Sequence, residues 1–158
     1  MPAQADGSRD DSWTGQYARS RRQVARIRGK VKMARKILVV DDQENIARIV
    51  RMMLENKGYA TIWAGDGAEA LRLAKTEEPD LILLDVMLPK IDGFKVCRLL
   101  KFDKKYSHIP IVLLTAKSSP GDKQTGREVG ADYYLEKPFQ PVQLIQVIEQ
   151  LLSLEGVQ

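Results

Sequence analysis

Histidine and cysteine are nearly missing from this chain of 158 residues, which holds one of each, His108 and Cys97. A lone cysteine closes no disulfide within the chain, and such usage fits a reducing, cytoplasmic setting. Long apolar runs are missing too. None approaches the roughly 20 residues that a bilayer-crossing helix needs. The N-terminus lacks the charged-then-apolar layout of a secretory signal. A composition 44% hydrophobic and 29% charged reads as soluble and globular, enough for one domain with a core and a short appendage.

The net charge of +4 conceals an asymmetry. Residues 1–36 carry ten Lys or Arg against Asp6, Asp10 and Asp11, leaving +7, whereas the remainder has 15 basic and 18 acidic residues, leaving −3. The high isoelectric point belongs to the tail. The domain itself is mildly acidic, which argues against direct nucleic-acid binding by it.

From Lys36 onward short apolar runs alternate with helical patterns. "KILVVD" (36–41), "YATIWA" (59–64), "DLILLD" (80–85), "IPIVLLTA" (109–116) and "DYYLEK" (132–137) read as strands, the third buried on both faces. Between them, helices are expected at 44–58, 66–79, about 93–103, 120–129 and 141–152. The first sets Ile46, Ile49, Val50, Met53 and Leu54 on one face; the second opens with a capping box from Asp66 to Glu69. The last starts at Pro141, where proline is tolerated. Cys97 and Leu100 are expected to face the core, and Trp63 to pack at some distance from any site. The alternation predicts an α/β fold: a doubly wound, five-stranded parallel sheet flanked by five helices.

Within "LILLDVMLPKIDGF" (81–94) an apolar strand ends on the acid Asp85, and a carboxylate there is costly unless something uses it. Asp41 and Asp42 end the first strand, Thr115 the fourth and Lys137 the fifth. In a parallel sheet those ends share one edge, where ligands bind at the reversal of strand order. With the order 2-1-3-4-5 the three carboxylates converge, and their repulsion is relieved by a divalent cation, with Mg²⁺ suited to hard oxygen ligands. Lys137 and Thr115 are then placed to bind phosphoryl oxygens, and Asp85 to attack phosphorus from an exposed position. Each residue alone is more often a cap or turn residue, and Asp41 or Asp42 could simply open the helix at 44. Their joint appearance at one sheet edge points to a site.

The stretches "ILVVDDQENI", "DLILLDVMLPKIDGF", "IPIVLLTAK" and "GADYYLEKPF" resemble a response-regulator receiver domain of two-component signalling, over about Met33 to Leu154. The spacings of 30 residues from Asp85 to Thr115 and 22 from Thr115 to Lys137 agree with that pattern. The resemblance implies a flavodoxin-like fold in which Asp85 accepts phosphate from a sensor histidine kinase. It implies Mg²⁺ held by Asp42 directly, by Asp41 through water, by Asp85, and by the backbone carbonyl of Met87. It further implies a switch in which Thr115 and Tyr134 move and remodel the face of helix four, strand five and helix five, and a cis bond before Pro138. On this reading the chain is no conventional enzyme but a phosphoacceptor that catalyses its own phosphotransfer and dephosphorylates slowly, as a monomer or weak homodimer. Met87 and Lys117 stand where the phosphoryl lifetime is tuned, and neither carries a carboxylate or carboxamide, so a long-lived state is expected.

Two other readings are weaker. A haloacid-dehalogenase-type phosphatase needs a second Asp two residues after the nucleophile, and Met87 stands there. "GDGAEA" (65–70) matches a dinucleotide-binding fingerprint, but it follows the second strand and a cap explains it. His108, in the loop entering strand four at the edge opposite the acids, is read as structural, and its isolation argues against a histidine kinase or transfer domain within these residues. Residues 1–32 form a basic extension outside the resemblance, and residues 33–158 the receiver domain. In the extension Trp13, Tyr17, Val24, Ile27 and Val31 sit near helical spacing, which suits contact with membrane, nucleic acid or kinase. Gly15 and Gly29 favour a flexible arm instead. With no further domain expected after the last helix, output falls to a downstream effector or, in a phosphorelay, to a histidine phosphotransfer protein.

Overall fold

The computed structural model describes residues 34–116 and 119–156, with side chains as far as Ser153. The basic extension and Lys117 therefore lie outside the described residues. Five strands follow in chain order, β1 (Lys36–Val40), β2 (Ala60–Ala64), β3 (Leu81–Asp85), β4 (Ile111–Thr115) and β5 (Tyr133–Glu136). They alternate with helices that we number α1 (Glu44–Asn56), α2 (Gly67–Glu77), α3 (Gly93–Lys101), α4 (Pro120–Glu128) and α5 (Pro141–Gly156). The strands form one parallel sheet ordered β2-β1-β3-β4-β5, the expected doubly wound arrangement.

Successive residues of a strand point to opposite faces, so each strand feeds two cores. Ile37, Val39, Leu81, Leu83, Val112 and Leu114 pack with Ala47, Val50 and Leu54 of α1 and Leu144 and Ile148 of α5. Leu38, Val40, Ile82, Leu84, Ile111 and Leu113 pack with Ala70 and Ala74 of α2 and Val96, Cys97 and Leu100 of α3. All five residues of β3 are buried, as a central parallel strand requires. One helix face departs from expectation. Ile49 is 62% exposed, and the small Ala47 takes the inward position. The buried face is centred on Ala47, Val50 and Leu54, so the helix is rotated from the expected stripe and Ile49 turns to solvent.

Helix starts are fixed by local chemistry. The Asp66 carboxylate accepts from Glu69 N at 2.8 Å, while Glu69 Oε1 accepts from Gly65 N at 3.2 Å, so the reciprocal half of the capping box reaches one residue further upstream than expected. Asp92 and Ser119 cap α3 and α4 in the same manner, accepting from Lys95 N and Asp122 N. The last helix continues beyond its expected end to Gly156.

The edge where the strands begin is held by carboxylates on backbone amides. Asp80 Oδ2 accepts from Lys36 N at 2.7 Å, and Asp132 Oδ2 accepts from Ile111 N at 2.8 Å and from Lys101 Nζ at 2.9 Å. His108 is exposed at this edge, in the loop before β4. Among the described residues no helix is long and apolar enough to cross a membrane.

Candidate functional site

The opposite edge carries the acids. β1 and β3 are hydrogen-bonded neighbours with Val40 level with Leu84, so the next residues, Asp41 and Asp85, come out side by side. Carboxylate oxygens of Asp41, Asp42 and Asp85 lie within 4.8 Å of one another. Asp41 and Asp85 are buried, at 7% and 8% exposure, and Asp42 is exposed. Asp85 is therefore not the open carboxylate that its strand-end position suggested: the loop after β3 turns so that the Met87 amide reaches its Oδ1. That loop lines a cleft of about 570 Å³ with Asp42, Val86, Met87, Leu88, Pro89, Asp92 and Phe94, which gives access from solvent beside the acids.

Each buried acid is anchored. Asp85 Oδ1 accepts from Met87 N at 3.2 Å, and Oδ2 lies 3.4 Å from Lys137 Nζ. Asp41 Oδ1 accepts from Gln43 N at 2.9 Å, and Oδ2 lies 3.7 Å from the same ammonium. Asp41 thus supports the turn into α1 without capping it; the N-cap is Gln43, which makes no side-chain cap bond. Lys137 follows β5 and its amide donates to the Thr115 carbonyl at 2.9 Å, tying both to the same edge. Thr115 is fully buried. Met87 lines the cleft and is 60% exposed. The expected cis bond joins Lys137 and Pro138.

One ammonium pairs with two of the three carboxylates, Asp41 and Asp85, so acidic groups outnumber basic ones in the cluster. Burial pushes the Asp85 carboxyl above its ordinary range, and the Asp41 charge adds to the rise; Lys137 and the Met87 amide pull the other way. A hard cation suits such a set, because all the converging donors are carboxylate oxygens and one member is open to solvent. Tyr134 on β5 is half-buried against the core beneath α4, with its hydroxyl held above the usual range by burial and by the charges of Asp122 and Glu136.

Three features escaped the sequence. Trp63, expected to be remote, donates its indole N–H to the Asp41 carbonyl at 2.9 Å. Gly93 packs against the main chain of Asp85 and Val86, where a β-carbon has no room. Gly67 packs equally tightly on Ile91, and Lys90, with a left-handed φ of 69°, reaches Asp66 Oδ2 at 3.4 Å. The glycine of the apparent dinucleotide fingerprint is thus accounted for by packing of α2 on the loop after Asp85. The one available signal was the glycine at each helix start.

The sequence model of the response regulator receiver domain matches residues 37–149. The chain is similar to the alkaline phosphatase synthesis transcriptional regulatory protein PhoP of Bacillus subtilis (strain 168), 50% identical over 120 residues that make up 76% of this chain and 49% of that protein. It is also similar to the probable transcriptional regulator ycf27 of Cyanophora paradoxa, 48% identical over 118 residues, 75% of this chain and 48% of that protein. The chain therefore spans about half the length of the curated relatives it matches. Among solved structures, the signal receiver domain of a signal transduction histidine kinase from Syntrophus aciditrophicus superposes with a TM-score of 0.72 at 39% identity, covering 76% of this chain and 91% of that one. Chemotaxis protein CheY4 of Vibrio cholerae superposes with a TM-score of 0.71 at 36% identity, covering 75% of this chain and 99% of that one. With its sheet order, its acidic strand ends and these similarities taken together, the chain belongs to the response regulator receiver domain family of two-component signalling.

Proposed function

We propose that Asp85 accepts a phosphoryl group from the phosphohistidine of a sensor kinase, in a Mg²⁺-dependent reaction in the cytoplasm, and that the modified domain is read by a partner at the α4–β5–α5 face. The observation that carries this reading is the meeting of Asp41, Asp42 and Asp85 beside Lys137, whose ammonium lies 3.4 Å from Asp85. A carboxylate oxygen of Asp85 forms the new bond to phosphorus as the phosphorus–nitrogen bond of the donor breaks, and the leaving imidazole keeps the electron pair and takes up a proton.

A magnesium ion held by Asp41, Asp42, Asp85 and the Met87 carbonyl would neutralise charge on the transferring oxygens. Lys137 exchanges its pairing with Asp85 for a phosphoryl oxygen, so the group released by phosphorylation is the one that stabilises the product. The Thr115 hydroxyl closes on another oxygen, and Tyr134, behind it on β5, takes the space that Thr115 vacates. Hydrolysis of the aspartyl phosphate is slow, because Met87 has no group with which to orient water. The modified domain passes its output to an effector or to a histidine phosphotransfer protein.

Incubation with acetyl phosphate and Mg²⁺, followed by intact-mass measurement, tests the reading. Wild type should gain one phosphate and Asp85→Asn none. Label on Asp85→Asn equal to wild type would refute it. Transfer of the group to added histidine phosphotransfer protein would assign the relay role in place of the terminal one.

A further inference from the structure

Asp41 is held on every side. Its amide donates to the Ala64 carbonyl at 3.1 Å, the last rung between β1 and β2. Its two carboxylate oxygens face Gln43 N and Lys137 Nζ. The remaining group, the carbonyl, belongs to the peptide that joins Asp41 to Asp42, one residue past the last paired residues of β1 and β2, Val40 and Ala64. The indole N–H of Trp63 fills that place at 2.9 Å, bridging 22 residues of sequence. The ring is itself held, half-buried against the α1–α5 core and close enough to Gly65 that a β-carbon there would touch it at 3.4 Å.

A peptide group is planar, so fixing its carbonyl fixes the amide of Asp42 as well. Asp42 is the exposed member of the cluster, with its carboxylate on the wall of the cleft. From this geometry we infer that Trp63 is a positioning residue for the cation site: its N–H locks the Asp41–Asp42 peptide and so holds the Asp42 carboxylate within reach of Asp41 and Asp85. The inference rests on the proposed Mg²⁺ site. Groups that orient ligands in this way typically govern affinity by about 10–100-fold, and one uncharged bond belongs at the lower end.

Calorimetric titration of the full chain with Mg²⁺ tests it, using wild type, Trp63→Phe, and a protein carrying benzothienylalanine at position 63. That analogue keeps the bicyclic shape and replaces the N–H by sulfur. We expect Mg²⁺ binding to weaken by about tenfold in both variants, with the thermal unfolding midpoint of the analogue protein close to that of wild type in the absence of metal. In a Trp13→Phe background, the Trp63 emission should also shift as Mg²⁺ is added, and Asp42→Asn should abolish the shift. Should Trp63→Phe fail to fold, the analogue alone decides. Wild-type affinity in the analogue protein would overturn the role of Trp63 and leave the phosphoacceptor reading standing. Absence of Mg²⁺ binding by wild type would overturn both.

Discussion

Gly93 lies against the main chain of Asp85 so closely that a β-carbon on it would stand 2.9 Å from the Asp85 carbonyl carbon and 2.7 Å from Val86 Cα. Its amide donates to the Val86 carbonyl at 2.8 Å, so α3 begins directly on the strand end that bears Asp85. Backbone atoms cannot step aside as a side-chain tip can. Gly93→Ala should therefore lower stability by roughly 3 kcal/mol or more in urea unfolding and reduce phosphate uptake on Asp85. Gly121→Ala, which would meet only Ser119 Oγ at 3.8 Å, should leave stability unchanged or raised by up to about 1 kcal/mol.

The Cys97 thiol is fully buried on α3, where burial pushes its pKa from 9.0 to about 12. An unfolded thiol ionises near the lower value while the folded one keeps its proton. The folded state then binds more protons between those limits, and stability falls as pH rises through them. The thiol adds nothing to the pH dependence below 9.0, and the loss levels off above about 12. The slope should approach 1.4 kcal/mol per pH unit at most. Chemical denaturation at stepped alkaline pH should show that slope in wild type and a flatter one in Cys97→Ala. The raised Tyr59 and Tyr134 remain as the residual contribution. Iodoacetamide at pH 8 should leave the native thiol unmodified.

Met87 puts an exposed thioether at the lip of the cleft, two residues beyond Asp85. A carboxamide there would hold a water molecule against the phosphorylated acid. Met87→Asn should shorten the life of the phosphorylated state by on the order of tenfold, the modest end of what a well-placed polar group supplies. Loss of label after desalting, followed by mass, measures it, and an unchanged decay would remove Met87 from the control of lifetime.

Gly126 on α4 leaves room for the Tyr134 ring, and a β-carbon there would stand 2.6 Å from Tyr134 Cδ2 and 3.0 Å from Cε2. The ring, unlike backbone, can rotate away. Gly126→Ala should cost about 1–3 kcal/mol, partly offset by better helix propensity, and displace the ring without phosphorylation. Aromatic NMR shifts of Tyr134 in the unmodified protein would register the displacement. An unmoved ring in a stable variant would show that α4 shifts instead.

Most of the fold was legible because each strand carries its own short branched run, and the helices between them carry local signals such as the Asp66 cap, which acts within four residues. Asp41, Asp42, Asp85, Thr115 and Lys137 were legible as strand ends, since a parallel sheet sends all of those to one edge. What the sequence hid depends on how the chain folds back in space. Asp85 is followed by a loop against which Gly67 packs at Ile91, and Gly93 returns to the main chain of Asp85 and Val86. Trp63 on β2 reaches Asp41 at the end of the neighbouring β1, and periodicity carries no information on where an indole N–H will find its acceptor. Ile49 misled because an apolar residue at helical spacing says nothing about whether a neighbouring alanine sits closer to the sheet.

The carboxylates of Asp80 and Asp132 clamp the starts of β1 and β4 to main-chain amides, far from the cluster at the other ends of the same strands. Amide protons along that clamped border should exchange with deuterium only on global unfolding, and those around Asp85 through small local openings. Under the proposed function, a newly charged group at one border would rearrange its surroundings while the other serves as a fixed foundation, and the message would travel sideways toward β5 instead of down into the sheet.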